Sequence, residues 1–191
     1  MSLTKDIEEA LFRKYMVDQT GWVALREVSI DDLAAMGGKV LTRRGRRRVA
    51  GPTVRRIDML LIKTSKRGVR VPYERIGMEI KVSRADFLRE VRDPGKRAAW
   101  HSMVHRFAYV APRGLIDPSE VPEGCGLLEY DSTALFGTQR LKWKVFSPYR
   151  ADLPESFDDR WVVYLAGRAA RAELKIRQAI VQTPSGRKRK A

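Results

Sequence analysis

The sequence predicts a mixed α/β sandwich around one sheet, and three observations predict it. Apolar stretches with period-two alternation recur through the middle of the chain. Helical stripes stand at both ends and between those stretches, and Gly/Pro clusters separate the two kinds of segment. With 191 residues, 43% of them hydrophobic, the chain has material for one core and one domain; its 32% charged residues do not by themselves signal disorder.

Residues 3 to 17 read as an amphipathic helix, with Leu3, Ile7, Leu11 and Tyr15 on one stripe and Gly21 as a stop. Trp22 to Ile30 reads as a strand and Asp31 to Met36 as a short helical turn. Gly37-Gly38 opens a basic loop that closes near Pro52. Arg56 to Lys63 and Arg75 to Val82 read as two strands. The Lys66-Arg67-Gly68 turn and Pro72 lie between them, which suits an antiparallel pair. Residues 84 to 92 are helical, Asp93-Pro94-Gly95 breaks the run, and 96 to 103 resume it. Phe107 to Ala111, Gly126 to Tyr130 and Leu141 to Phe146 are strands, and Leu115 to Pro122 is loop with a helical turn. A long helix runs from Phe157 to about Ile180. Ser156 and Asp159 suggest its capping box, and Trp161, Leu165, Ala169, Ala172 and Ile176 form its stripe.

The net charge of +15 is concentrated. Arg43, Arg44, Arg46, Arg47, Arg48, Arg55 and Arg56 share a stretch without acids, and Arg187, Lys188, Arg189 and Lys190 follow near the end. These eleven side chains make up most of the excess, as expected where cations replace the counterions of a phosphate backbone. An Arg-rich solvated surface is the plainer explanation. Neither segment has the apolar face of a membrane-surface helix, so no membrane partner is expected. One cysteine, Cys125, excludes an intramolecular disulfide framework and, with only His101 and His105 besides, argues against structural zinc. No run reaches membrane-spanning length and no signal-peptide core opens the chain; a cytoplasmic protein is expected.

The strand Met78-Glu79-Ile80-Lys81-Val82 puts its apolar residues on one face and Glu79 and Lys81 on the other, about 7 Å apart at the backbone. If the preceding strand pairs with it, Asp58 meets Glu79 at one rim. Converging carboxylates repel, and a hard divalent cation such as Mg2+ with oxygen ligands and several waters is the usual remedy. Such an ion acidifies water and offsets charge on a phosphodiester, while Lys81 positions or deprotonates the water or neutralises phosphate. A solvated edge with a cross-strand ion pair is the bland alternative for Glu79 and Lys81.

Asp58 followed by Glu79-x-Lys81 and a helix resembles the PD-(D/E)XK nuclease superfamily. Glu79-Ile-Lys-Val-Ser-Arg-Ala-Asp-Phe-Leu88, His105-Arg-Phe-Ala-Tyr-Val-Ala-Pro112 and Val121-Pro-Glu-Gly-Cys-Gly-Leu-Leu128 resemble its MmcB-like DNA-repair family. The resemblance covers roughly residues 3 to 131. It implies a restriction-endonuclease-like core, Asp58 and Glu79 as ligands of Mg2+ (or Mn2+) with the Ile80 carbonyl, and Lys81 as the catalytic amine. Many members add a Glu from the first helix; Glu8, which borders the apolar stripe, is the candidate, and a flanking surface Glu is the alternative. The superfamily's Pro is missing before Asp58, where Ile57 stands.

The expected organisation is one domain over 1–182, with the core at about 3–131, an extension over 132–182 and a flexible basic tail at 183–191. Ser83 should cap the next helix, with Asp86 as its capping-box partner. Arg84, at a helix start where a cation gains nothing from the dipole, and Lys96 are candidate phosphate contacts. Trp100, Phe107 and Tyr109 read as core and His105 as a structural histidine. The function so implied is a metal-dependent DNA nuclease in repair or processing, the alternative a DNA-binding module that has lost hydrolysis or needs a partner. RNA as substrate, a homodimer and a partner protein in repair all stay open.

Overall fold

Six strands form one mixed sheet in the computed structural model of the chain, flanked by helices. The structure describes residues 2–18, 21–32, 39–41, 47–49, 53–64, 73–134, 140–153 and 159–182; at 31–32, 39–41, 47–49, 53, 159–161, 176–177 and 179–182 only the backbone is described. The chain divides into two units, Met1–Glu155 and Ser156–Ala191.

In the first unit, helix α1 (Leu3–Phe12) runs into a π-helical segment (Arg13–Asp18), and strand β1 (Trp22–Asp32) follows. A short pair, β2 (Lys39–Leu41) and β3 (Arg47–Val49), precedes β4 (Thr53–Lys63) and β5 (Arg75–Ile80). Helices α2 (Arg84–Val91) and α3 (Pro94–His101) lead to β6 (Arg106–Pro112). A 3-10 turn (Pro118–Glu120), β7 (Cys125–Tyr130) and β8 (Leu141–Val145) complete the unit. The sheet order is β1-β4-β5-β6-β7-β8, with the β5–β6 and β6–β7 pairs parallel and the rest antiparallel. The second unit holds helix α4 (Asp159–Gln182), on which the Arg168 guanidinium donates to the Tyr164 hydroxyl one turn back at 3.1 Å.

Each sheet face has its own packing. Ile7, Leu11 and Tyr15 meet Met59, Leu61, Ile76, Met78 and Ile80 of the central strands in one cluster. On the opposite face Phe87 of α2 sits edge-on to Tyr109 of β6, with ring centroids 5.2 Å apart, and Phe107 packs against the same tyrosine. Trp100 of α3 is fully buried. Each such aromatic contributes about 2–3 kcal/mol by leaving water. As β5 alternates, Met78 and Ile80 face α1, which leaves Glu79 on the side of Tyr109, its register partner on β6.

Several expectations need correction. The first helix loses α-geometry at Arg13, where the wider π-helical turn carries the chain to buried Tyr15. Asp31 and Asp32 extend β1 and are not in a helical turn, because they pair with Val54 and Thr53. Part of the presumed basic loop is an antiparallel ladder, Lys39 to Leu41 against Arg47 to Val49; valines within it favour extended backbone. Asp93-Pro94-Gly95 starts a helix as well as ending one: the Asp93 carboxylate accepts the Gly95 N–H at 3.1 Å and Pro94 takes a first-turn position, where no N–H is needed. Strand β5 stops at Ile80, and the Lys81 N–H reaches the Val110 carbonyl at 2.8 Å. The proposed Ser156 cap lies outside the described residues.

Candidate functional site

Where β4 and β5 part, the sheet leaves polar groups to be satisfied by side chains. Their ladder ends at Met59↔Met78, one residue short of the Asp58–Glu79 level. On its other side β4 skips a register partner at Asp58, opposite Glu27, whose φ of 49° lies in the left-handed region. Such an interruption re-aims a side chain. Ile57 packs over Gly77 on the α2/α3 face whereas Met59 packs on the α1 face, so the alternation breaks at Asp58. The Asp58 carboxylate reaches across to the end of β5 and accepts the Ile80 N–H at 2.8 Å, between Glu79 and Lys81.

Glu79 Oε1 accepts from Lys81 Nζ at 3.0 Å and from Lys96 Nζ at 2.5 Å. The same two ammonium groups donate to Glu90 Oε2, at 2.5 Å from Lys81 and 3.3 Å from Lys96. Two carboxylates and two amines thus form a ring beneath α2 and α3, with Glu79, Lys81 and Glu90 buried. The second oxygens, Glu79 Oε2 and Glu90 Oε1, are buried without a hydrogen-bond partner. An unpaired polar atom of this kind costs about 1–3 kcal/mol, and a buried ionic ring is a poor source of stability.

The electrostatics follow from that crowding. Burial first, then the charges of Asp58 and Glu90, push the Glu79 carboxyl up to about 7, against the opposing pull of Lys81 and Lys96. Burial alone would lower the Lys81 amine; Glu79 and Glu90 outweigh it and hold the amine above its ordinary value. The two carboxylates thus favour its ammonium form. With Asp58, Glu79 and Glu90 set against Lys81 and Lys96, the five side chains carry one excess negative charge when ionised.

The fit of a divalent ion rests on the donors. Among the described residues no group of three or more His, Cys, Asp or Glu side chains gathers as a ligand set. Mg2+ asks for less, one or two carboxylates with the remaining positions filled by water or substrate. Asp58 together with the open Oε2 of Glu79 meets that requirement.

Other predicted residues fall elsewhere. Glu8 is half-buried on α1, whose inward residues pack on the face opposite Glu79. Ile80 offers its N–H to Asp58. Arg84 is held bidentately by Glu120, at 2.8 and 2.6 Å, on the surface. Arg56 is exposed and 3.6 Å from Glu27, and Arg55 lies 4.0 Å from Asp93 beside the start of α3. Arg43, Arg44, Arg46, Arg187, Lys188, Arg189 and Lys190 lie outside the described residues, as do the side chains of Arg47 and Arg48. Ser83 caps α2 by accepting the Asp86 N–H at 3.2 Å, but the Asp86 carboxylate pairs with Arg89 instead of closing a capping box. His105 is fully buried; its Nδ1 accepts the Arg75 N–H at 3.0 Å and its ring stacks on Tyr149.

Sequence reasoning missed Glu90, and with it the place of Lys96 inside the ring. A signal was present: Glu90 follows Phe87 by three residues, so a carboxylate shares the inward face of α2 with its main apolar anchor.

No family model matches the chain, and no curated protein matches it. Among solved structures, the SPO1766 protein of unknown function from Silicibacter pomeroyi is similar over 94% of this chain and 91% of its own, at 19% identity and a TM-score of 0.49. No helix among the described residues is long and apolar enough to cross a membrane.

Proposed function

We infer that the chain is a metal-dependent nuclease of the PD-(D/E)XK type, similar to the MmcB-like family, which hydrolyses DNA phosphodiesters in repair or processing. The observation that carries the reading is the meeting of Asp58, Glu79 and Lys81 at one strand end, with Asp58 bonded to the backbone between the other two. Asp58 and Glu79 are the residues that would hold Mg2+ (or Mn2+), and the bound ion would lower the pKa of a water and offset charge on the phosphodiester. Lys81, kept protonated by its two carboxylates, donates to a phosphate oxygen or orients the water. The clustered arginines grip the backbone without reading sequence.

The test is cleavage of single-stranded, branched and plasmid DNA with and without Mg2+, with Asp58→Ala and Lys81→Ala as controls. Metal-dependent product that both variants lose is the expected result. The second reading, a DNA-binding module without hydrolysis, is favoured by one observation: two ammonium groups already neutralise the Glu79 carboxylate through its Oε1. DNA binding with no metal-dependent product on any substrate would establish it.

A further inference from the structure

Lys96 and Lys81 occupy the same ring, yet their situations differ. The Lys81 side chain is 10% exposed and locked between Glu79 and Glu90; that of Lys96 is 23% exposed, with a path to solvent. Lys96 is also the third residue of α3, and a cation there is opposed by the positive end of the helix dipole. Only the carboxylates hold it inward, by its short contact to Glu79 Oε1 and its longer one to Glu90 Oε2. Directly beside that contact, Glu79 Oε2 and Glu90 Oε1 are buried, unpartnered, and belong to side chains at least nine-tenths buried.

We propose that Lys96 is a resident counter-cation that takes the place of the divalent ion in the metal-free protein and leaves Glu79 when metal enters. The inference rests on the nuclease reading, which supplies the metal, and concerns what this chain does before the metal arrives. The Glu79 and Glu90 carboxylates would repel across the ring, and the Asp58 charge adds to that repulsion; the Lys96 ammonium offsets it. A divalent ion brings more positive charge and makes stronger contacts to carboxylate oxygen. Once Glu79 is neutralised, the dipole of α3 and access to solvent both favour an outward Lys96. Lys81 remains, held by Glu90, so the amine needed at the phosphate is not displaced with it. Metal affinity is thus set by competition with an internal side chain.

The experiment is Mn2+ binding, measured by calorimetry and by the electron paramagnetic resonance signal of free ion, on the full chain and on Lys96→Met, Lys96→Gln and Lys96→Arg. Circular dichroism confirms folding, and two neutral variants guard against failure of either. The expected result is about 10- to 100-fold tighter Mn2+ binding in both neutral variants, the size of one charge-assisted interaction with the Glu79 carboxylate, with Lys96→Arg near the parent. Parent protein that binds Mn2+ and neutral variants that bind it no tighter would overturn the counter-cation while leaving the nuclease reading intact. Mn2+ binding to none of the four proteins would overturn both. Binding only to the neutral variants would establish the competition in its strongest form.

Discussion

Replacing Glu79 with Gln removes a charge that the fold holds against its own interest. The unfolded chain ionises this carboxyl near 4.5, whereas the folded protein ionises it near 7, because burial and the neighbouring Asp58 and Glu90 charges outweigh Lys81 and Lys96. A raised carboxyl means that the folded state binds the proton more tightly. Its contribution to stability is therefore complete below pH 4.5 and is lost as pH rises through 7. That rise corresponds to about 3 kcal/mol at most. Glu79→Gln, neutral at every pH, should match the parent near pH 4.5 and exceed it by about 1–3 kcal/mol at pH 8. Urea unfolding in EDTA at half-unit steps from pH 4.5 to 8 measures this, and the difference between the two proteins cancels every other titrating group. A variant less stable than the parent at pH 8, or a gap that does not change with pH, would show that the carboxylate is net stabilising and that the ring is an ordinary ion-pair network.

Asp58→Ala and Lys81→Ala should each lower metal-dependent DNA cleavage by about 10²-fold or more, the range for loss of a transition-state donor; gel assays on plasmid DNA report it. Burial and the neighbouring Arg75 push His105 down to about 4, so acid should destabilise the fold as pH falls from 6.5 towards 4, by about 3 kcal/mol at most. His105→Gln should flatten that limb of the pH–stability curve relative to the parent, at a cost of about 1 kcal/mol or more near neutral pH through the Arg75 N–H it strands. Gly126→Ala should lower stability by about 1–3 kcal/mol in thermal melts, because a Cβ there would lie 2.8 Å from the Ser147 nitrogen and 2.9 Å from both the Val145 carbonyl oxygen and the Trp143 ring.

Much of the core was legible in one dimension because its signals are local. Period-two alternation placed β4 to β8 within a few residues, and Asp58, Glu79 and Lys81 stood out as charges with apolar neighbours on both sides. Lys81 reaches Glu79 because residues two apart on extended backbone share a side. Boundaries slipped where long-range contacts decide them: Asp31 and Asp32 pair with a strand some twenty residues on. Lys96 and Arg84 were both read as candidate phosphate contacts. Nothing near them in sequence announces that one is drawn inward by two carboxylates while the other is clasped by Glu120.

The sequence by itself determined the alternating strands, the cap of α2 and the three polar residues at the strand end, since each depends on neighbours within a few positions. The tertiary structure alone decided that β4 and β5 part at Asp58, that Glu90 faces inward from α2, and that Lys96 closes the ring. Those outcomes depend on which helix covers which sheet face, and on charges brought together from residues 58 to 96. The Glu79 carboxyl is raised by groups its local sequence does not contain, so its chemistry belongs to the fold.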